Sequence, residues 1–245
     1  MKRWIVIAFV LLLIPPVAEA GEFRVAPIKV FMDKGVRSEL VNVINDAKED
    51  LKVEVSVVEW WQDEEGRDRY RPTKDIIYYP KVMVIKPGKM RSVRLGLKVL
   101  PQGAEKTYRI FIEEIPSKEK SRGFAIRIAL RFGVPIFVLP EKERVAGTVE
   151  SVSIEGGKLI IWIKNLGNVH FRINTVDIKG LDSEGNSVFE KSLAGWYVLH
   201  GKRRLFKVKV PEDVCKRIKE VIISVDTDKE DFSSRLDVKK TMCTP

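Results

Sequence analysis

Few side chains in this 245-residue sequence could do covalent or metal chemistry. The histidines are His170 and His200 and the cysteines are Cys215 and Cys243, and no combination of them has a metal-ligand spacing or the arrangement of an activated nucleophile. The acidic run Asp63, Glu64, Glu65 could supply a general acid and base, but it lies in the polar stretch DEEGRD, where a solvated turn is expected. Phosphate-cradling glycine loops, nucleophile elbows and His-Glu zinc motifs are all missing. The sequence therefore argues against an enzyme, a cofactor or a metal. Its most informative residues are apolar. In GFAIRIALRFGVPIFVLP, from Gly123 to Pro140, the residues Phe124, Ile126, Ile128, Leu130, Phe132, Val134, Ile136 and Val138 recur at every second position. On a strand they share one face, and the run is much longer than the ordinary strand of about five to six residues. A strand that outruns its own sheet templates pairing with another chain, and proteins that keep one use it to complete a partner's sheet.

The first twenty residues, MKRWIVIAFVLLLIPPVAEA, join a basic start at Lys2 and Arg3 to an apolar core and small residues at Ala18 and Ala20. They read as a cleaved export signal, with the mature chain starting near Gly21. The apolar core is shorter than the ~20 residues a span needs, Pro15 and Pro16 follow it, and no later segment is a better candidate, so no membrane insertion is expected. Export favours a disulfide between Cys215 and Cys243, closing a loop worth about 3 kcal/mol, over a pair of buried thiols. The formal charge is +10, and losing Lys2, Arg3 and Glu19 removes a net +1 to leave +9. Because both signs alternate along the chain, that excess reads as a solvated surface and not as a nucleic-acid groove.

Past the signal, apolar residues keep a period near two: FRVAPIKVFM, SELVNVIN, KVEVSVVEWW, KVMVIKPG, RSVRLGLKV and YRIFIEEI precede the long stretch, separated by turn signals such as NDAKED, DEEGRD and KPGK. Within KVEVSVVEWW, Trp60 and Trp61 must point to opposite faces, so one at most is core. The charged break PEKERVAG restarts the pattern. The predicted organisation is a signal over 1–20, a first domain over 21–140 that includes the long strand, a hinge over 141–147 and a second domain over 148–245. Strand density and spacing make the fold class all-β, with two immunoglobulin-like β-sandwiches. Helical character is confined to EDVCKRIKE, for a turn or two.

The order of motifs resembles the PapD-like periplasmic chaperones of the chaperone/usher pathway. IKVFMDKG is similar to the family's first-strand T-R-x-x-x-D-G pattern, KVMVIKPGKMRSVRL to P-P-x-x-R-L-x-P-G-x-x-x-x-x-R-I, and FIEEIPS to N-x-x-E-I-P-P. LPQGAEK stands where the family has L-P-x-D-R-E-S, FAIRIALRFGVPIFVLP where it has L-Q-I-A-L-R-x-x-I-K-L-F-Y-R-P, and KNLGNVHFRI resembles the second-domain N-P-T-P-Y segment. R-F-G-V-P-I-F-V-L-P looks closer to the divergent, archaic-type branch than to the P-pilus type.

The resemblance implies two sandwiches in a boomerang arrangement, with pilin-like subunits bound in the cleft and handed to an outer-membrane usher, and with self-pairing of the free protein as a further possibility. It assigns Phe124, Ile126, Ile128, Leu130 and Phe132 as a donor strand that fills the gap in a subunit's sheet, while Val134, Ile136 and Val138 read as the chaperone's own core. The family's pair of basic residues for the subunit's terminal carboxylate corresponds to Lys29 and to Pro135, so the second anchor is missing, with Arg131, Arg127 or Arg24 as the available substitutes. An interdomain ionic set corresponds to Arg94, Glu105 and Asp226. The competing expectations are a secreted adhesion or glycan-binding module with a self-buried strand, and an exported hydrolase with a scattered catalytic set.

Overall fold

The computed structural model describes residues 23–116 and 129–243, so the expected signal segment, Arg127 and the expected donor residues Phe124, Ile126 and Ile128 lie outside the described residues. In the first domain the described strands are β1 (Phe23–Ala26), β2 (Val30–Met32), β3 (Ser38–Asn45), β4 (Leu51–Gln62), β5 (Asp68–Pro72), β6 (Ile76–Tyr79), β7 (Val82–Ile85), β8 (Met90–Leu97), β9 (Lys106–Glu114) and β10 (Arg131–Val138). They form a four-stranded sheet, β1-β3-β8-β6, packed on a six-stranded one, β2-β10-β9-β4-β5 with β7 also paired to β4.

The period-two pattern explains the sandwich. Leu51, Val53, Val55 and Val57 of β4 face inward with Ile110 and Ile112 of β9, and meet Val41 and Val43 of β3 and Val93 and Leu95 of β8 across the core. Val134, Ile136 and Val138 of β10 belong to this same core. The run FRVAPIKVFM reads as one strand but is two, in different sheets. Pro27 has no N–H to give a ladder, so pairing stops there and the chain crosses between layers over residues 27–29. That crossing puts Lys29 immediately ahead of β2.

The second domain contains β11 (Gly147–Glu155), β12 (Lys158–Asn165), β13 (Phe171–Leu181), β14 (Ser187–Ala194), β15 (Tyr197–Val198), β16 (Arg203–Lys209), β17 (Glu220–Thr227) and β18 (Phe232–Asp237). A three-stranded sheet, β11-β12-β16, packs on β14-β13-β17-β18, with β15 also paired to β13. Gly156 and Gly157, both at positive φ, make the hairpin turn between β11 and β12 that two adjacent glycines favour. The one α-helix among the described residues is the single turn α1 (Glu212–Cys215), and a 3₁₀ turn over Lys240–Cys243 follows β18. Cys215 and Cys243 form a disulfide that joins these two turns inside the second core, beside Ile218 and Val238.

Replacing both cysteines with serine should lower the unfolding free energy by about 3.5 kcal/mol for a loop spanning a sequence separation of 28. Urea unfolding of the oxidised protein and of the double variant checks this, with a lower midpoint and an unchanged β-type circular dichroism spectrum as the expected result.

Candidate functional site

The two sides of β10 are treated differently. On one side, all eight of its residues pair antiparallel with β9, from Arg131↔Glu113 to Val138↔Lys106. On the other, β2 pairs parallel with Ile136, Phe137 and Val138 only. The Glu114 N–H donates to the Leu130 carbonyl at 2.9 Å, so the even-numbered residues of β10 exchange hydrogen bonds with β9 and the odd-numbered amides point away from it. The Leu139 N–H follows that rule, donating to the Met32 carbonyl at 2.8 Å at the end of β2. Pro135 occupies the odd position just before β2 begins, where it offers no donor. Among the described residues, Arg131 and Gly133 therefore present N–H groups along an open sheet edge. Next to that edge, Leu130 packs against the core while Phe132 is 37% exposed and meets Phe23 edge-on at 4.9 Å.

One end of the outer face of the same sheet is buried, where an isolated domain would expose it, because the second domain covers it there. Beyond Val57 the face pointing away from the first core carries Trp60 and Gln62, both buried. Trp60 and Phe137 form one cluster with Tyr197 and Leu199 of the second domain. The Gln62 side-chain amide donates to the Tyr197 carbonyl at 2.9 Å, and its oxygen accepts the Leu199 N–H at 3.0 Å. Beside them the Arg109 guanidinium stacks on Trp60 at 4.2 Å, donates to the Tyr70 hydroxyl at 2.8 Å and lies 3.7 Å from Asp68. Asp68 in turn accepts the Trp196 indole N–H at 2.9 Å.

The acidic turn Asp63–Glu65 is also part of the junction, and not merely a solvated loop. Asp63 closes the β4–β5 hairpin by accepting backbone N–H groups from Arg67 and Glu65, and the Arg67 amide, followed by its guanidinium, holds this carboxyl well below the usual carboxylate range. The hairpin tip offers its carbonyls to β16: Leu205 N–H donates to Glu65, and the Arg204 guanidinium donates to Gly66 at 2.7 Å. Gly66 is required twice over, since its φ is +80° and a Cβ there would stand 2.6 Å from the Arg203 carbonyl oxygen.

Of the expected interdomain set, only Glu105 is at the junction. Its side chain is fully buried and both carboxylate oxygens lie 2.8–2.9 Å from His170 Nδ1. The His170 ring stacks on Phe137 at 3.5 Å. Arg94 instead lies on the exposed outer face of β8, near the Ser38 hydroxyl at 3.4 Å, and Asp226 is within 3.4 Å of the Asn174 amide on the surface of the second domain. The strand period explains the error: Val93 and Leu95 face the core, so Arg94 must face solvent on the sheet that does not meet the second domain. His170, the actual partner, was legible only as a polar residue between buried Val169 and Phe171.

Lys29 stands between the domains. Its Nζ lies 3.6 Å from Asp228 Oδ2 and 5.6 Å from the centre of the Tyr197 ring, and its side chain is less than a third exposed. Of the possible substitutes for the missing cation, Arg24 is held bidentately by Asp46, and Arg131 pairs with Glu113 at 3.2 Å while lying 3.9 Å over Phe111. Arg109 lies directly opposite Pro135 in the ladder, but Asp68, Tyr70 and Trp60 already engage it.

Residues 22–143 match the family model described as pili and flagellar-assembly chaperone, PapD N-terminal domain. No curated protein matches the chain. Among solved structures, similarity extends to the chaperone–tip adhesion subunit pre-assembly complex CsuC–CsuE from the archaic chaperone-usher Csu pili of Acinetobacter baumannii, at 22% identity, TM-score 0.61, and 88% and 98% coverage of this chain and that one. The YadV chaperone matches at 12% identity, TM-score 0.61, and 88% and 100% coverage. The Salmonella enterica SafA pilin complex with the SafB chaperone matches at 13% identity, TM-score 0.53, and 87% and 96% coverage. At these identities the likeness is one of fold.

Glu105→Ala should lower stability by about 1–3 kcal/mol, because it leaves buried donors of His170 without an acceptor. Arg94→Ala, at an exposed position, should change it by less than about 0.5 kcal/mol. Denaturant unfolding measures both, and small-angle scattering should show a broader distribution of interdomain distances for the Glu105 variant alone.

Proposed function

Since residues 22–143 belong to the PapD N-terminal domain family of pili and flagellar-assembly chaperones, we propose that this protein is a periplasmic chaperone that stabilises pilin-like subunits by donor-strand complementation and delivers them to an outer-membrane usher. The observation that carries this reading is the open edge of β10, where Arg131 and Gly133 face no strand among the described residues and Pro135 marks the end of the gap. A subunit lacking a strand supplies what this edge lacks, by β-augmentation. In this reading Phe124, Ile126, Ile128, Leu130 and Phe132 enter the subunit's groove, and four such side chains contribute roughly 6–12 kcal/mol gross, at ~1.5–3 kcal/mol each, before ordering costs. Lys29 takes the subunit's terminal carboxylate, with Arg131 as a second cation at the same edge. Residues 1–20 act as the export signal, and the free edge permits pairing with a second copy when no subunit is present. The solved complexes of a chaperone with a tip adhesion subunit and with a pilin support this class of partner. An adhesion module is less well supported: Trp61 and Tyr70, the exposed aromatics of the β4–β5 hairpin, pair with Arg69 and Trp60 respectively and so project from opposite faces, without a shared stacking platform.

Hydrogen exchange on the free mature protein tests the open edge. In a monomer, the amides of Arg131 and Gly133 should exchange quickly while those of Phe132 and Val134, bonded to β9, stay protected. Protection of all four in a demonstrated monomer would count against the chaperone reading. Ile128→Asp should abolish co-purification of a co-expressed pilin-like subunit while leaving the urea midpoint of the isolated protein unchanged, since the charge becomes buried only in the complex.

A further inference from the structure

Lys29 has donors to spare and an acid already beside it. An ammonium offers three N–H groups, yet among the described residues Lys29 makes no hydrogen bond, and its ion pair with Asp228 at 3.6 Å is long. Asp228 itself is firmly placed. Its Oδ1 accepts the Arg172 N–H at 2.7 Å, its own N–H donates to the Arg172 carbonyl at 2.9 Å, and Oδ2 is left facing Lys29. Tyr197 supplies an aromatic face on another side of the ammonium.

The pair is not what holds the domains together. The buried Glu105–His170 contact, the Gln62 hydrogen bonds, the Trp60–Phe137–Tyr197–Leu199 cluster and the hairpin tip on β16 do that from buried or backbone positions. A long, part-exposed ion pair adds little to such a joint. Its position suits another task. We infer that Asp228 is a resident carboxylate that occupies Lys29 in the free protein and competes with the terminal carboxylate of a bound chain. This rests on the reading of Lys29 as the carboxylate anchor. An arriving α-carboxylate takes the unspent N–H donors of Lys29 and meets the like charge of Asp228, so Asp228 weakens capture and makes it more readily reversible. Between captures it keeps the half-buried ammonium paired.

The test uses the mature protein and two forms of an extended peptide of alternating valine and threonine, one ending in a free carboxylate and one amidated. Binding is followed by calorimetry and by the Lys29 side-chain NMR signal. The parent protein should prefer the free acid, and Lys29→Met should lose that preference. Asp228→Asn should bind the free acid about two- to five-fold more tightly, the range that weak ion pairs span, with affinity for the amide unchanged. If the parent protein does not distinguish acid from amide, or binds neither, the anchor itself fails and the competition with it. If the parent distinguishes them but Asp228→Asn binds the acid equally or more weakly, the anchor stands and the competition is overturned. Equal urea midpoints for parent and Asp228→Asn exclude a folding defect, and a lowered midpoint directs the same comparison to Asp228→Ser.

Discussion

Backbone donors and acceptors along a strand come in two rows, and β10 has partners for one row along its full length but for the other only beyond Pro135. The remaining features of the site follow from that half-satisfied strand. Pairing with β9 fixes which residues face inward, so Val134, Ile136 and Val138 fill the core while Gly133, Pro135 and Phe137 face the second domain's side. Pro135 can occupy the boundary without cost to the β9 ladder because its missing N–H belongs to the other row. The exposed amides of Arg131 and Gly133 are thus an edge kept open within an otherwise well-packed sandwich.

An open edge serves a partner only if something holds its surroundings in place. The second domain does so by covering one end of the outer face of the six-stranded sheet, burying Trp60, Gln62, Arg109 and Phe137. Burying polar groups there is tolerable because most are hydrogen-bonded or paired: Gln62 spends both ends of its amide on the Tyr197–Leu199 backbone, Glu105 is satisfied by His170, and Arg109 is engaged by Tyr70 and Asp68 with its planar face on an indole, while among the described residues the Arg109 Nε and the Trp60 indole N–H have no hydrogen-bond partner. The β4–β5 hairpin adds a backbone bond to β16 through Leu205 and lends its Gly66 carbonyl to the Arg204 guanidinium, a close approach that requires glycine at position 66.

Within this frame charge is used sparingly. Surface pairs such as Arg24–Asp46 and Arg71–Glu59 are exposed and contribute little. The pairs placed between the domains, Glu105–His170 and Lys29–Asp228, differ in kind: the first is buried with hydrogen-bond geometry, the second is longer and reaches solvent. The same element types therefore serve a structural joint in one place and an accessible cation in another.

The sequence by itself determined the strand content, the two-sandwich division and the inward row of β10, because a period of two is a local property that each strand carries wherever it pairs. Trp60 and Trp61 had to lie on opposite faces for the same reason. It did not determine that the apolar run through Pro27 would split between sheets, nor which polar residues would meet across the junction. Arg94 and Asp226 matched a family pattern by position, but their strands turn them toward solvent, whereas His170 meets Glu105 across a separation of 65 residues. Tertiary structure alone decided those partners, since contact between distant side chains depends on how two sheets twist and dock, and alternation along a single strand holds no information about the face that another domain will cover.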